Sequence, residues 1–340
     1  MVPSSSSTSK TEVSYAEALE HLQGDLNAVE EALTTHLNSD VPLIPSIGHY
    51  LARGGGKRIR PTLVLLSSKL CGYEGDRCIT NSCLVEFIHT ATLLHDDVVD
   101  ASEMRRGVPS ANARWGNEAS VLVGDYLFAK ALWLMASDGD PDILRVVSGA
   151  TVFLSEGEVL QLINEYNLAS TEESYLDVIY RKTAALMATS CRIGGILGNM
   201  PREIEEQLGE IGSNFGSAFQ LVDDALDYMA RADRIGKPVG QDLSDGNVTL
   251  PLIHLYRSAD EGERQRIRHV FFESNGTPDG KLDSILDMMK QHGSIEYTLS
   301  RAADFVERAK ASLRELPDNL DPFYRNALIS LADYIVERDR

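Results

Sequence analysis

The sequence predicts an all-α protein with a single large helical domain over residues 14–340, and three observations favour this fold class. Apolar residues recur three and four positions apart from "SYAEALEHLQGDLNAVEEAL" near the amino terminus to "NALISLADYIVERDR" at the other end. No segment alternates apolar and polar residues for long enough to predict a sheet. Several apolar stretches lack a polar face, which is typical of helices at the centre of a large domain.

Between the two terminal helices, further helices are predicted in order along the chain. Their sequences are "CLVEFIHTATLLHDD", "ASVLVGDYLFAKALWLMA", "VFLSEGEVLQLINEY", "YLDVIYRKTAALMATSCRIGGIL" and "IGSNFGSAFQLVDDALDY". Short breaks that contain Gly, Pro, Asn or Asp separate them. No internal repeat with the spacing of a solenoid is present.

The first ten residues, "MVPSSSSTSK", contain no apolar core and no arginine, so they predict neither a secretory signal nor a transit peptide. Their serine content predicts that residues 1–13 form a disordered tail or an added, non-native segment. No uninterrupted stretch of about 18 apolar residues occurs, which argues against a transmembrane segment. The four cysteines form no Cys-x-x-Cys pair, and we interpret them as reduced core thiols of a cytoplasmic protein.

The composition narrows the range of partners. The chain of 340 residues has 32 Lys and Arg against 51 Asp and Glu, which gives a formal net charge of −19. Such a chain repels a phosphate backbone, so the charge argues against nucleic acid as a partner. A phosphorylated ligand would need metal cations and a few well-placed basic residues.

Two segments repeat the pattern Asp-Asp-x-x-Asp. The aspartates are Asp96, Asp97 and Asp100 in the first segment and Asp223, Asp224 and Asp227 in the second. On a helix these positions fall within an arc of roughly 100°, so each set should share one face. Mg²⁺ prefers carboxylate and phosphate oxygens, and two such faces across a cavity could hold Mg²⁺ around a diphosphate. A single acidic triplet is often only a solvated surface, but two copies that each follow an apolar run favour a functional site.

A basic, glycine-rich segment, "RGGGKRIRP", precedes the first acidic segment. Its glycines allow a tight turn and a close approach to a ligand, while Lys57, Arg58 and Arg60 supply positive charge. The spacing does not fit a P-loop. A basic turn that only caps a helix remains an equal alternative when the segment is taken alone. Together with Arg105 and Arg106, it predicts an anion site that does not depend on metal.

These segments together resemble the trans-isoprenyl diphosphate synthases, in particular their long-chain polyprenyl branch. "GGKRIRP", "LLHDDVVDASEMRRG", "RKTAAL", "GSAFQLVDDALDY", "GKPVGQDL" and "GNVTLP" occur in the order and spacing of that family. The resemblance implies an isoprenoid synthase fold, with antiparallel helices around a deep central cavity, in a homodimer. It also implies successive addition of isopentenyl diphosphate to an allylic diphosphate by Mg²⁺-assisted ionisation and condensation, with a product of octaprenyl length for a quinone side chain. Release of such a product implies a peripheral contact with a membrane.

Three alternatives remain open at this point. A shorter-chain, geranylgeranyl-type synthase would share every segment quoted above. A class I terpene cyclase usually carries an Asn/Ser/Glu-type second metal motif and lacks the basic turn. A non-catalytic partner subunit tends to lose one acidic segment, whereas this chain keeps both.

The resemblance assigns a role to each matching position. All six aspartates named above would bind Mg²⁺. The isopentenyl diphosphate contacts would be Lys57, Arg60, His89 and Arg106, and the allylic diphosphate contacts Arg105, Lys182 and Lys237. Thr183 and Gln220 would face the carbocation. Asn247 replaces a lysine that is common in the family, so it receives no diphosphate contact.

The length of the product should depend on an apolar tunnel beneath the first acidic segment. Ala91 and Thr92 are small where short-chain members carry a bulky aromatic residue, which predicts room for a long product. For Ala91 this depends on the resemblance, because an ideal helix directs Ala91 away from the carboxylates. Phe128, Leu132 and Trp133 are candidates for the deeper wall, with ordinary core packing as the alternative for each.

Overall fold

A computed structural model describes residues 13–53, 56–229, 240–273 and 281–337. Residues 1–12 of the predicted tail lie outside the described residues, and so does Lys237. Val13, the last residue of that predicted tail, is buried with 8% of its surface exposed. Ordered packing therefore begins one residue earlier than predicted.

The described residues are almost entirely helical, which confirms the predicted all-α class. The first half contains α1 Tyr15–His21, α2 Gln23–His36, α3 Leu43–Arg53, α4 Ile59–Leu70, α5 Arg77–Val99, β1 Met104–Arg105, β2 Val108–Pro109, α6 Ala111–Trp115, α7 Asn117–Asp138 and α8 Pro141–Asn164. The second half contains α9 Glu172–Ile179, a π-helical turn Tyr180–Ala184, α10 Ala185–Leu197, α11 Arg202–Met229, α12 Gln241–Asp245, α13 Leu250–Ser258, α14 Glu261–Glu273, α15 Lys281–Gln291, α16 Ser294–Glu315 and α17 Pro322–Glu337.

Local sequence explains where the long helices α7 and α8 end and begin. Gly139 has a φ of 74°, a left-handed conformation that suits glycine at the end of α7. Asp140 then caps α8, because its side chain accepts hydrogen bonds from the backbone N–H groups of Asp142 at 3.0 Å and Ile143 at 3.4 Å. Pro141 fits the first helical position, where no N–H is needed.

Helix α10 lies at the centre of the bundle, where α4, α5, α8 and α11 pack against it. Every residue of α10 except Arg192 and Ile196 is buried, as expected for a helix that is apolar on most of its circumference. Glycines allow the close approach. A Cβ atom on Gly194 would lie 2.2 Å from the Ser67 hydroxyl of α4, and one on Gly212 of α11 would lie 2.5 Å from the Met187 carbonyl oxygen. The four cysteines are free and buried.

Helices α7 and α8 differ from this expectation, because each leaves one apolar face in solvent. The exposed residues are Val121, Leu122, Leu132 and Trp133 in α7, and Leu144, Val152, Phe153, Val159, Leu162 and Ile163 in α8. Leu132 and Trp133 are each 56% exposed, so core packing, the alternative considered for them, is wrong. Phe128 is half-buried and stacks on the His95 ring at 6.0 Å.

By length and composition alone, α7 and α8 are apolar enough to cross a membrane, although the sequence contains no uninterrupted apolar span. Their inner faces pack into the bundle. Val123, Leu127 and Leu134 of α7 and Ile143 and Val147 of α8 are at least 95% buried. Each of the two helices thus has one apolar face buried in the core and a second apolar face exposed on the surface.

Candidate active site

The three aspartates at the end of α5 have different surroundings. Asp97 is buried, with 1% of its surface exposed, and the Arg105 Nε lies 2.8 and 2.9 Å from its two carboxylate oxygens. The Arg105 Nη2 adds a contact of 2.6 Å. Asp96 is half-buried and Asp100 is exposed. Asp97 therefore holds Arg105 in this structure, and its predicted role as a metal ligand stays a prediction.

Arg105 and Arg106 lie on a hairpin that the sequence analysis did not anticipate. Strands β1 and β2 pair Met104 with Pro109 and Arg105 with Val108. The two residues between the strands, Arg106 and Gly107, have φ angles of 52° and 79°, as a type I′ turn requires. The Tyr50 hydroxyl donates to the Pro109 carbonyl at 2.7 Å and so braces the hairpin against α3.

Lys182 of the π-helical turn contributes positive charge to the first acidic cluster. Its Nζ lies 2.8 Å from the Glu158 carboxylate of α8. Burial raises the pKa of Asp96 to about 7; Lys182 opposes this shift, while Glu158 and Asp100 add to it. Burial lowers the pKa of Lys182, but Asp96 and Glu158 outweigh it and raise that pKa overall. The lysine thus keeps its charge beside two carboxylates.

The three aspartates of the second acidic cluster, on α11, also differ in their surroundings. Asp223 is exposed, whereas Asp224 is 5% exposed and accepts hydrogen bonds from the Tyr175 hydroxyl at 2.5 Å and Gln220 Nε2 at 2.8 Å. Asp227 accepts the backbone N–H groups of Gln241 at 3.2 Å and Asp242 at 3.0 Å, and so caps α12. Burial raises the pKa of Asp224 to about 7 against the effect of its hydrogen bonds.

A chain of hydrogen bonds joins the π-helical turn to the second acidic cluster. The Thr183 hydroxyl donates to Gln220 Oε1 at 2.9 Å, and the Gln220 amide donates in turn to Asp224. Thr183 and Gln220, which the resemblance assigned to one role, therefore do meet. Tyr175 completes the chain, and nothing in its sequence context had singled it out.

The π-helical turn fits tightly between two neighbouring helices. A Cβ atom on Gly157 of α8 would lie 2.8 Å from the Lys182 backbone nitrogen, and one on Gly216 of α11 would lie 2.4 Å from the Ala184 Cα. Such π-helical irregularities often occur at functional sites. Here the turn places Lys182 beside the first acidic cluster and Thr183 beside the second, so adjacent residues link the two predicted metal-binding faces.

The predicted isopentenyl diphosphate contacts come from three separate elements. Lys57 is exposed, and its Nζ lies 5.5 Å from the centre of the Tyr334 ring. Arg60 is half-buried, and its Nε has no hydrogen-bond partner among the described residues. A Cβ atom on Gly56 would lie 3.0 Å from the Arg106 Nη1, so the glycine admits this arginine to the basic turn.

Electrostatics connect these basic residues to each other and to α11. Burial lowers the pKa of Arg60 to about 10; Glu86 and Asp223 oppose that shift and Arg106 adds to it. Burial and the neighbouring arginines hold the pKa of His89 well below its usual value, so His89 is neutral near pH 7. A site with a lone buried Nε and several guanidinium groups is suited to an anion.

A pocket of about 60 Å³ lies among α2, α3, α5, α7 and the hairpin. Arg58, Glu86, His89, Arg105 and Arg106 line its polar side, and Leu33, Leu37, Leu51, Phe87, Leu93 and Leu127 are among its apolar walls. Ala91 is fully buried and does not line this pocket, and the Thr92 hydroxyl donates to the His89 carbonyl at 2.8 Å. The predicted tunnel contacts of Ala91 and Thr92 stay a prediction.

The residues present suit a hard divalent cation that takes part of its coordination from a ligand. Asp96 and Asp100 offer carboxylate oxygens one helical turn apart, and burial beside other carboxylates raises the pKa of each. Within the described ranges, no three His, Cys, Asp or Glu side chains already form a complete metal site. Phosphate oxygens could supply the remaining ligands.

The pKa values near 7 of Asp96 and Asp224 predict how stability depends on pH. Unfolded aspartate titrates near pH 4, so the folded protein binds more protons between pH 4 and 7. The stability that these groups contribute is fully present below about pH 4 and is lost as the pH rises through about 7. Urea unfolding with a chelator present should therefore show a smaller free energy of unfolding at pH 8 than at pH 5.5.

The double variant Asp96→Asn, Asp224→Asn serves as the control for this titration. It should show a clearly smaller change between the two pH values than the wild type. An equal change in both proteins would assign the pH dependence to the overall charge of the chain instead. Added Mg²⁺ should stabilise the wild type more at pH 8 than at pH 5.5, because protons compete with it.

The chain is similar to known proteins over most of its length. Residues 41–289 match the sequence profile of a family described as polyprenyl synthetase. The octaprenyl diphosphate synthase of Escherichia coli is 46% identical over 316 residues, which cover 93% of this chain and 96% of that protein.

Solved structures are similar over nearly the whole chain. The decaprenyl diphosphate synthase of Rhodobacter capsulatus superimposes with a TM-score of 0.90 at 42% identity, covering 96% of this chain and 99% of that one. A polyprenyl synthase of Caulobacter crescentus, complexed with calcium and isoprenyl diphosphate, also gives 0.90, at 36% identity over 97% and 100% of the two chains.

Proposed function

Because this chain belongs to the polyprenyl synthetase family and is a prenyltransferase, we propose that it makes an all-trans long-chain polyprenyl diphosphate. It does so by adding isopentenyl diphosphate units in succession to an allylic diphosphate. The observation that carries the proposal is the π-helical turn, whose adjacent Lys182 and Thr183 reach the two acidic clusters. Relatives named as octaprenyl and decaprenyl synthases support a product of octaprenyl length.

The allylic diphosphate lies beside the less buried aspartates of the two clusters, which would hold Mg²⁺ together with it. Asp96, Asp100 and Asp223 are the ligands that we assign, since Asp97 and Asp224 are buried in other contacts and Asp227 caps α12. Mg²⁺ held by these carboxylates would neutralise charge that develops on the departing diphosphate. The calcium and isoprenyl diphosphate complex of the Caulobacter crescentus protein supports the use of a divalent cation.

The side chains of this chain then bind and orient the two substrates. Lys182 stays protonated and stabilises the leaving diphosphate, which becomes more negative in the transition state. Arg60 and Arg106 bind isopentenyl diphosphate as cations, and neutral His89 donates a hydrogen bond to it. Arg105 acts through Asp97, to which it is already bound, rather than as a separate contact to the allylic substrate.

Thr183 presents its lone pairs to the carbocation. Because its hydroxyl hydrogen points at Gln220 Oε1, the oxygen turns its electron-rich side away from that bond. A fixed dipole of this kind stabilises positive charge without the nucleophilicity that would trap the cation. No side chain is assigned as the base that removes the proton after condensation.

The direct test incubates pure protein with Mg²⁺, farnesyl diphosphate and labelled isopentenyl diphosphate, followed by chromatography of the products. We expect a ladder that ends at octaprenyl length. A ladder that stops at geranylgeranyl length would identify a shorter-chain synthase. Hydrocarbon release without consumption of isopentenyl diphosphate would identify a cyclase, and no turnover would favour a partner subunit.

Ala91→Phe should shorten the main product while the first condensation stays active. The ring would close the tunnel beneath Asp96, and because Ala91 is fully buried, it should also cost about 1–3 kcal/mol of stability through overpacking. Product sizing and thermal unfolding measure the two effects. Thr92→Val, which keeps the volume, is the matched control. An unchanged ladder in Ala91→Phe would remove Ala91 from the tunnel wall.

A second copy of the chain covers the apolar faces of α7 and α8. The exposed residues recur with helical spacing along α8, as at Leu144, Val152 and Val159, and form two pairs on α7, Val121 with Leu122 and Leu132 with Trp133. Patches of this extent usually mark an interface. Leu122→Asp with Val152→Asp should convert a dimer to monomers in sedimentation equilibrium. A wild-type monomer at micromolar concentration would contradict the homodimer.

The cytoplasm is the proposed location, with a brief membrane contact when the long apolar product leaves. The product then becomes the side chain of a quinone. Buried thiols and the acidic surface suit a reducing, soluble compartment. Cell fractionation that placed the protein permanently in the membrane would contradict this location.

A further inference from the structure

Arg58 adopts a backbone conformation that residues other than glycine rarely occupy. Its φ is 45°, in the left-handed region, at the position that caps α4. Contacts of the Cβ atom with the backbone disfavour this region, so other contacts must hold Arg58 there. The conformation matters because Lys57 and Arg60, on either side of it, are the residues assigned to isopentenyl diphosphate.

Two glutamates from different helices hold the Arg58 side chain. Its Nε lies 2.6 Å from Glu30 Oε1 of α2, and its Nη2 lies 3.2 Å from the other oxygen. Its Nη1 lies 2.6 Å from Glu86 Oε1 of α5. The Glu86 side chain is 8% exposed and that of Glu30 is 48% exposed. Solvent therefore screens the contact to Glu30 more than the buried contact to Glu86.

Glu86 is a buried negative charge among several guanidinium groups. Besides Arg58, it acts electrostatically on Arg60 and on Arg106, raising the pKa of each against the effect of burial. His89 follows Glu86 by three residues on the same helix. Every residue assigned to isopentenyl diphosphate except Lys57 thus either feels the Glu86 charge or lies one turn away on α5.

We propose that Glu86 and Arg58 form a positioning pair that fixes the glycine-rich turn and the arginines for isopentenyl diphosphate, without contacting the substrate. The proposal rests on the proposed function of this site. The charge of Glu86 alone should weaken binding of a diphosphate, because a carboxylate repels an anion. If positioning dominates, removal of the Glu86 charge weakens binding instead.

Steady-state kinetics of Glu86→Gln and Arg58→Lys test the pair. Each should raise KM for isopentenyl diphosphate about five- to tenfold, since one charge-assisted contact is lost. We expect kcat and KM for the allylic substrate to stay within twofold of wild type. Arg58→Lys keeps the charge but cannot contact two glutamates in forked geometry, so its effect can only come from lost positioning. The double variant should be no worse than the worse single variant.

Glu205→Gln is a matched control. Glu205 is also a buried glutamate that joins two arginines, with 2.6 Å to Arg192 and 3.2 Å to Arg145. It lies near the start of α11, about 27 Å along that helix from Asp223. We expect it to lower the unfolding temperature as much as Glu86→Gln does, with no change in KM.

The outcomes distinguish failure of the positioning pair from failure of the proposed function. An unchanged or lower KM for isopentenyl diphosphate in Glu86→Gln overturns the positioning pair, and so does an equal rise in Glu205→Gln. If Glu86→Gln does not fold, the KM of Arg58→Lys decides the same question. A wild-type protein that consumes no isopentenyl diphosphate refutes the proposed function instead.

Discussion

Asp96→Ala is expected to lower kcat roughly a thousandfold, or about 4 kcal/mol in the activation free energy. Asp96 lies where Lys182, Glu158 and Asp100 meet, and its pKa near 7 reflects burial beside other carboxylates. Such a carboxylate is stable in its charged form only with a cation close by. Its loss removes a metal ligand where the departing diphosphate becomes more negative. Turnover at saturating substrate, over a range of Mg²⁺ concentrations, measures the effect.

Two controls separate this effect from a general loss of structure. Asp304→Ala removes an exposed aspartate that pairs with Arg301 on α16, and it should leave kcat unchanged. The far-ultraviolet circular dichroism of Asp96→Ala should match that of the wild type. A kcat within tenfold of wild type would show that Asp96 does not bind the metal.

Asp97→Ala should behave differently from Asp96→Ala. The sequence pattern treats the two residues alike, and on that basis Asp97→Ala would lower Mg²⁺-dependent turnover by several orders of magnitude. The structure instead commits Asp97 to Arg105, so its loss frees the hairpin and leaves Arg105 without its buried partner. We expect a lower unfolding temperature together with a fall in turnover that is smaller than in Asp96→Ala.

The helical period and the repeated aspartates were enough to predict the fold class and the chain segments that form the site. The same period could not predict which aspartate of each pair is buried, because that depends on partners distant in sequence. Arg105 reaches Asp97 only because the hairpin turns the chain back, and Tyr175 reaches Asp224 from another helix. Local spacing contains no information about either contact.

The exposed apolar faces of α7 and α8 also could not be predicted from the sequence. The composition of α7 is that of a core helix, yet Leu132 and Trp133 are each 56% exposed. Composition indicates that a helix face is apolar, but it does not indicate which surface packs against that face. The left-handed backbone conformation of Arg58 could not be predicted from the sequence either. Its contacts to Glu30 and Glu86, which are distant in sequence, explain a non-glycine residue at that position.

Asp224→Leu is expected to lower kcat about a hundredfold while KM for both substrates stays nearly constant. Asp224 touches neither substrate in our assignment, but it accepts the Gln220 amide and the Tyr175 hydroxyl. Leucine fills the space and leaves both donors buried without a partner, so Gln220 is no longer held with Oε1 toward Thr183. The oriented Thr183 oxygen matters only when the carbocation forms. Loss of an interaction made only in the transition state lowers kcat without raising KM.

Variants that remove different numbers of these hydrogen bonds test the same expectation. Tyr175→Phe keeps the Gln220 contact and removes one of the two donors, so we expect a smaller fall in kcat, about tenfold. Asp224→Asn keeps one acceptor and should lie between the other two variants. Gln220→Leu should resemble Asp224→Leu, because both break the same chain, and their double variant should add little. If KM for the allylic substrate rises in parallel with the fall in kcat, Asp224 contributes to binding the diphosphate, and the orienting role of the chain is wrong.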